Sequence, residues 1–213
     1  MDQNLTTIID KRIEKTIKAL KRNNMNGYHV RTVDELKTLL LELMPPETSL
    51  AVGGSQTLFE TGLIDWLRQQ PFTFYDRYAP GLTPQEVQLV HRKAFSADAY
   101  LASSNAITEQ GELYNVDGSG NRVAAITFGP SRVYLIVSPN KIVKDLDAAI
   151  ARNREIAAPA NNVRLSTNTP CTHTGSCNDC RSENRICCSY SIIGHQRDAS
   201  RIHVIFLDGQ WGY

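Results

Sequence analysis

Residues 99–137 read AYLASSNAITEQGELYNVDGSGNRVAAITFGPSRVYLIV, and the reading of this stretch decides the fold. Three short apolar runs, 99–103, 123–127 and 133–137, are bounded by turn residues, the pattern of strands covered on both faces. They predict a central, mostly parallel sheet. Between the first two runs lie Asn105, Thr108, Glu109, Asn115, Asp117 and Asn121, with three glycines among them. Polar residues gathered after a strand suggest a site, because in open α/β sheets ligands bind beyond the carboxyl ends of the strands. Asp117-Gly118 also has the composition of a hairpin turn, and the two readings are compatible.

Outward from this stretch, strand and helix patterns alternate. Toward the N-terminus, 72–75 and 49–52 read as strands, and Leu58, Phe59, Leu63 and Leu67 form one helical face. Thr83-Pro84-Gln85-Glu86 sets an N-cap, a first-turn proline and a capping-box glutamate in order, so a helix should run from there to about Ser96. Residues 28–30 read as a strand, and Thr32 with Glu35 opens a helix that Pro45 and Pro46 close. Leu5, Ile8, Ile9, Ile13, Ile17 and Leu20 give an amphipathic first helix. Toward the C-terminus, 143–156 reads as a helix, 159–162 as a break and 202–207 as a late strand. The fold class is therefore α/β with an N-terminal helix, divided as an N-terminal helical segment (1–48), an α/β core (49–165) and a cysteine-rich segment with a final strand (166–213).

Composition limits the partners. The 213-residue chain is long enough to bury a sizeable core, and its 23 basic and 22 acidic residues nearly cancel. Such balance gives no whole-protein field for nucleic acid or an anionic membrane, so neither is expected as a partner. The first twenty residues carry charges throughout and contain no apolar core of a signal peptide or span, which predicts a cytoplasmic protein.

Two constellations carry chemistry. In the first, AVGGSQTLFETGL places Gly53, Gly54 and Ser55 between a strand and a helix, where backbone N–H groups can hold an anion. The loop has neither the P-loop lysine nor full GxGxxG spacing. Arg122 and Lys141 can supply positive charge to a phosphate or carboxylate. A small anionic ligand is thus expected among Gly53, Gly54, Ser55, Asn105, Thr108, Asp117, Asn121, Arg122 and Lys141.

The second constellation is PCTHTGSCNDCRSENRICC, with spacing C-x5-C-x2-C-x6-C-C over residues 171–188. In a chain without a secretion signal, five cysteines this close read as metal ligands rather than disulfides. Four thiolates take either a zinc ion or an iron–sulfur cluster. Cys171, Cys177 and Cys180 with one of Cys187 and Cys188 complete a set, since neighbouring side chains point different ways. His173 is a reserve ligand.

The motifs VGGSQTLFETGL, SSNAITEQGELYNVDGSGNRVAAITFGP and VYLIVSPNKIV resemble those of the LUD-domain (lactate utilisation) family, over about residues 5–193. The resemblance implies a Rossmann-like fold of the ribose-phosphate isomerase and CoA-transferase group, with its site at the carboxyl ends of the strands. It implies an association with iron–sulfur proteins that oxidise L-lactate, which favours an iron–sulfur cluster over zinc, iron–sulfur redox partner proteins, and Cys187 as fourth ligand. It also keeps open an isomerase or transferase acting on a sugar phosphate or CoA ester; because transferases of that fold group use a glutamate, the resemblance makes Glu109 the candidate catalytic residue. A homo-oligomer is compatible with this reading.

Overall fold

The structure is a computed structural model that describes residues 2–213. A six-stranded, wholly parallel sheet forms its centre, from β1 (Asn26–Val30), β2 (Ser49–Val52), β3 (Thr73–Tyr75), β4 (Ala99–Ala102), β7 (Arg132–Val137) and β10 (Ile202–Leu207). Its order is β1-β10-β7-β4-β2-β3. The N-terminal and cysteine-bearing segments each contribute one of these strands, so the chain's two ends meet in the sheet, with Asn26 beside His203 and Val30 beside Leu207.

Alternation along the strands feeds two cores. On one face Ala51, Tyr100, Ala102, Val133, Leu135, Val137, Val204 and Phe206 pack against Ile13 and Leu20 of α1 (Gln3–Arg22). On the other, Leu50, Val52, Leu101, Ile136, Ile205 and Leu207 meet Leu36 and Leu40 of α2 (Val33–Leu43), together with Leu58, Leu63 and Leu67. Burying each such side chain stabilises the fold by about 1.5–3 kcal/mol, which is why these strands read as unbroken apolar runs.

A smaller sheet, ordered β8-β5-β6-β9, packs beside the first core. It comprises β5 (Ala106–Thr108), β6 (Leu113–Asp117), β8 (Ile142–Val143) and β9 (Ser189–Ile193). β5 and β6 form a hairpin, and β9 pairs antiparallel with β6 so that Asp117 faces Ser189. The segment after the cysteines is thereby tied to the polar stretch at its centre.

Four expectations are corrected. Residues 123–127 are helical, within α6 (Asn121–Thr127). The Asp117 carboxylate accepts from the backbone N–H groups of Arg122 (2.8 Å) and Val123 (3.0 Å) and so caps the first turn, which an apolar run cannot reveal. The helix expected through Leu58 and Leu67 is two, α3 (Gln56–Glu60) and α4 (Leu63–Arg68), parted where Gly62 takes a left-handed φ of 67°. The helix expected over 143–156 begins later, because Ile142 and Val143 are paired with β5. It then runs past Pro159, as α7 (Leu146–Arg152), a π-helical turn (Asn153–Ala157) and α8 (Ala158–Arg164). The wide turn lets Ala158 N–H reach Asn153 and places the proline in the first turn of α8, where its missing donor is harmless. The helix at Thr83 is as expected: α5 (Pro84–Lys93) carries both halves of its capping box and continues as a 3₁₀ turn to Ser96. No helix among the described residues is long and apolar enough to cross a membrane.

Candidate functional site

The strand order positions the site. From β2 the chain crosses to β3 on one side, and from β4 it moves toward β7 on the other, so the loops after β2 and β4 diverge. A cleft of about 300 Å³ opens at this topological switch point. Gly54, Ser55, Asn105, Asp117, Asn121, Arg122 and Lys141 line it, although they span residues 54–141.

Each has a distinct local role. Gly53 continues the ladder by donating to the Leu101 carbonyl (2.8 Å), and a Cβ there would lie 2.9 Å from Arg122 Cγ and 3.0 Å from the Tyr100 hydroxyl. It is a glycine so that Arg122 can close against the strand, and it supports the cleft without lining it. Ser55 has its hydroxyl buried without a hydrogen-bond partner. The helix it precedes is only five residues long, so its macrodipole is slight, and the anion-binding potential expected of this helix end falls to the side chains around it.

Arg122 differs from expectation. Its five N–H donors are all committed within the protein: to the Ser103 carbonyl (3.1 Å), Asn115 Oδ1 (2.7 Å), Asn105 Oδ1 (2.9 Å), the Val116 carbonyl (2.7 Å) and Asp117 Oδ1 (3.3 Å). It is a clamp joining the ends of β4 and β6 to α6, and it offers a ligand its field rather than a free fork.

Lys141 lies at the bottom of the cleft, 2% exposed, on the 3₁₀ turn after β7. Its Nζ contacts Thr57 Oγ1 (2.9 Å) and Ser103 Oγ (3.1 Å) and no carboxylate. Burial, reinforced by the Arg152 and Arg122 guanidiniums, pushes its pKa down to about 7.

Two expected members are elsewhere. Thr108 is buried in β5, where its hydroxyl donates to the Glu112 carboxylate (2.9 Å) and accepts from Glu112 N–H (3.1 Å). Glu109 is held by Arg12 (3.3 Å) and Lys15 of α1, which keep its carboxyl below the usual range. It anchors the first helix and does not reach the cleft. Asp117 carries the only carboxylate side chain among the lining residues, and Arg122 and the start of α6 occupy it.

Sequence reasoning missed Arg77, Tyr78, Asn153, Asn161 and Arg164, which complete the cleft. Arg77 and Tyr78 follow β3 directly, so the strand-end rule that pointed to Asn105 applies to them equally. The Arg77 guanidinium lies 5.1 Å from the Tyr78 ring, with its Nε buried and unpartnered. Burial raises the Tyr78 pKa. Four basic residues, Arg77, Arg122, Lys141 and Arg164, thus face one committed carboxylate.

The cysteines lie alongside. Cys171, Cys177, Cys180 and Cys187 line one small cavity with Ala158 and Ile186, whereas Cys188 does not border it and donates its thiol to the Arg185 carbonyl (3.3 Å). All five are unpaired. Burial and the neighbouring Cys177, Cys171 and Cys180 push the Cys187 thiol up to about 11. The donor set suits a thiolate-bound group, but no three of the sulfurs come within 4.8 Å of one another. Zinc–sulfur bonds of about 2.3 Å would set them about 3.8 Å apart, so a single zinc would need the segment to contract. Cys187 and Ile186 also line the ligand cleft, and Cys188 N–H donates to the Asp117 carbonyl (2.9 Å).

A parallel α/β sheet with a cation-lined cleft at its switch point and a four-thiol cavity sharing one wall defines the class of protein. Residues 13–207 match the LUD domain, and the chain belongs to that family, which is associated in general with lactate utilisation. No curated protein matches the chain. The fold is similar to the crystal structure of a DUF162 family protein from Deinococcus radiodurans, with a TM-score of 0.51 and 13% identity, covering 94% of this chain and 98% of that one.

Proposed function

We propose that this LUD-domain protein binds a small carboxylate or phosphate in the cleft, beside an iron–sulfur cluster held by Cys171, Cys177, Cys180 and Cys187, and serves lactate or related organic-acid metabolism with an iron–sulfur redox system. One observation carries the reading: Ile186 and Cys187 wall both the cleft, where four basic residues face a single committed carboxylate, and the cavity lined by the four thiols. Lys141 is buried without a salt-bridge partner, and the half-buried Arg77 and exposed Arg164 have no carboxylate partner among the described residues; such uncompensated positive charge in a cleft favours a bound anion. The unpartnered Ser55 hydroxyl and Arg77 Nε are donors left for that anion. Bound among the thiolates, a cluster would supply one-electron transfer. The chain's part is to orient the anion and to keep it against residues 186 and 187.

The alternative, a transferase or isomerase acting on a CoA ester or sugar phosphate, requires a free carboxylate in the cleft. Asp117 is not free, and Glu109 is remote, so this reading ranks second.

Anaerobic purification with iron and acid-labile sulfide analysis, followed by calorimetry with phosphate, lactate and pyruvate, tests both halves. Expected are a brown protein absorbing near 400 nm, on the general behaviour of thiolate-bound clusters, and saturable binding of at least one anion. Metal-free protein whose five thiols titrate freely would sink the cluster. One equivalent of zinc without iron would change the metal and keep the ligands.

A further inference from the structure

Lys141 is not explained by structural need alone. A charged ammonium has three N–H donors, and this one finds two hydroxyl oxygens. The Thr57 hydroxyl gives its own proton to the Trp211 carbonyl (3.0 Å), so it can only accept from Nζ. Ser103 Oγ makes one long contact of its own, 3.5 Å to the Ser104 carbonyl, and can take either role toward the amine. The third valence of the nitrogen therefore has no protein partner, and the cleft is the open space beside it. No carboxylate is within ion-pair reach of Nζ among the described residues, and burial with the Arg152 and Arg122 guanidiniums outweighs the opposing field of the more distant Glu60. A lysine that served only to hold the fold would be expected to sit on a carboxylate.

We infer that Lys141 is a catalytic amine that captures the carbonyl carbon of a small anionic aldehyde or ketone as an imine. The inference rests on the anion reading of the cleft, which supplies the charge that docks the substrate. The chemistry balances without any further reactant. The Nζ lone pair forms a bond to the carbonyl carbon while the C=O π pair moves to oxygen. Both nitrogen protons then leave with that oxygen as one water, and a C=N bond remains. Only the neutral amine can begin this sequence, and burial that disfavours the ammonium provides it near neutral pH. Taking up one proton from solvent, the imine becomes an electron sink, so proton removal at the neighbouring carbon is the class of reaction it serves. A 300 Å³ cleft holds a ligand of a few carbons with its anionic group among Arg77, Ser55 and Arg164.

The anion can be a carboxylate or a phosphate, and the test separates them. The protein is incubated at pH 7.5 with pyruvate or with dihydroxyacetone phosphate in the presence of sodium cyanoborohydride. Adducts are counted by intact mass and located by peptide mapping, and binding of each compound without reductant is measured by calorimetry. The expected result is one adduct per chain at Lys141, at least tenfold above any other lysine, with the preferred compound reporting the anionic group. Lys141→Met, checked for folding by circular dichroism, should lose that adduct. Because the site is located in the wild-type protein, a variant that fails to fold leaves the test intact. Binding of either compound without a Lys141 adduct overturns the imine and leaves the anion site standing. Labelling spread evenly over surface lysines overturns it too. Neither binding nor labelling overturns the anion reading, and this inference with it.

Discussion

The cleft and the cysteine cavity share a wall but are built on opposite plans. The cleft is assembled from the ends of strands and a clamp of short hydrogen bonds, so its shape is fixed before any ligand arrives. The cysteine segment has one five-residue helix, α9 (Pro170–Thr174), and no regular element from 175 to 188, with most of its side chains half-exposed or exposed. Its four thiols converge because Arg185 gathers the Cys180 and Cys187 carbonyls, and Cys177 N–H donates to the Arg154 carbonyl (3.1 Å). One region is organised by its own hydrogen bonds, whereas the other has little regular structure of its own.

Removing the clamp should break the first half of this contrast most severely. Arg122→Ala strips partners from Asn115, Asn105 and two carbonyls and leaves the Asp117 carboxylate without its countercharge. Loss of one member of a buried ion pair costs about 3–5 kcal/mol. Urea unfolding should show a loss of that order. A loss under about 1 kcal/mol, as for an ordinary surface change, would mean that the cleft is not pre-built.

The pH dependence of stability tests the burial of Lys141. Its folded pKa of about 7 lies below the unfolded value of 10.5, so between these values the unfolded chain binds the extra proton. Stability should therefore rise with pH across this window, by at most about 1.4 kcal/mol per unit from this residue. The penalty is fully present below pH 7 and absent above 10.5. Lys141→Met should flatten the slope. An unchanged slope in the variant would show that Lys141 does not carry the depressed pKa.

A pair of glycine substitutions sharpens the comparison within the loop. Gly53→Ala forces a methyl to 2.9 Å from Arg122 Cγ, and such overpacking costs about 1–3 kcal/mol. A Cβ on Gly54 has no neighbour nearer than 3.7 Å, the Arg77 guanidinium, so Gly54→Val should keep the fold and lose anion affinity. Equal melting temperatures for Gly53→Ala and the wild type would refute the close approach assigned to Gly53.

The same division explains what the sequence could show. Strands 49–52, 133–137 and 202–207 were legible because both faces are buried and their period carries through. Thr83 was legible because its cap is complete within four residues. Residues 123–127 were not, since their state depends on a carboxylate at Asp117 outside the run. Glu109 was misjudged because its partners, Arg12 and Lys15, are nearly a hundred positions away. Arg77, Asn153 and Arg164 lay outside any motif, and only the strand order and the π-helical turn bring them to the cleft. In the cysteine segment the reverse held, for spacing picked out Cys171, Cys177 and Cys180 with one of Cys187 and Cys188, and the family resemblance pointed to Cys187, the fourth residue that borders the cavity.

The smallest expected effect on global stability comes from the proposed metal ligands, and it is the most direct test of the contrast. Cys177 and Cys180 contribute little buried apolar surface, and the loop between them makes few hydrogen bonds to the core. Thiolate binding should order this segment without holding the α/β sheet, which has its own two apolar cores. Chelator-treated protein, or Cys177→Ser, should unfold in urea within about 0.5 kcal/mol of the untreated core. Hydrogen exchange should nevertheless accelerate between residues 170 and 190, with β9 protected by its pairing to β6. Because Ile186 and Cys187 line the cleft, anion affinity should weaken in the same samples. If the core transition falls together with the metal, the cysteine segment belongs to the cooperative unit, and the two regions are not built on separate plans.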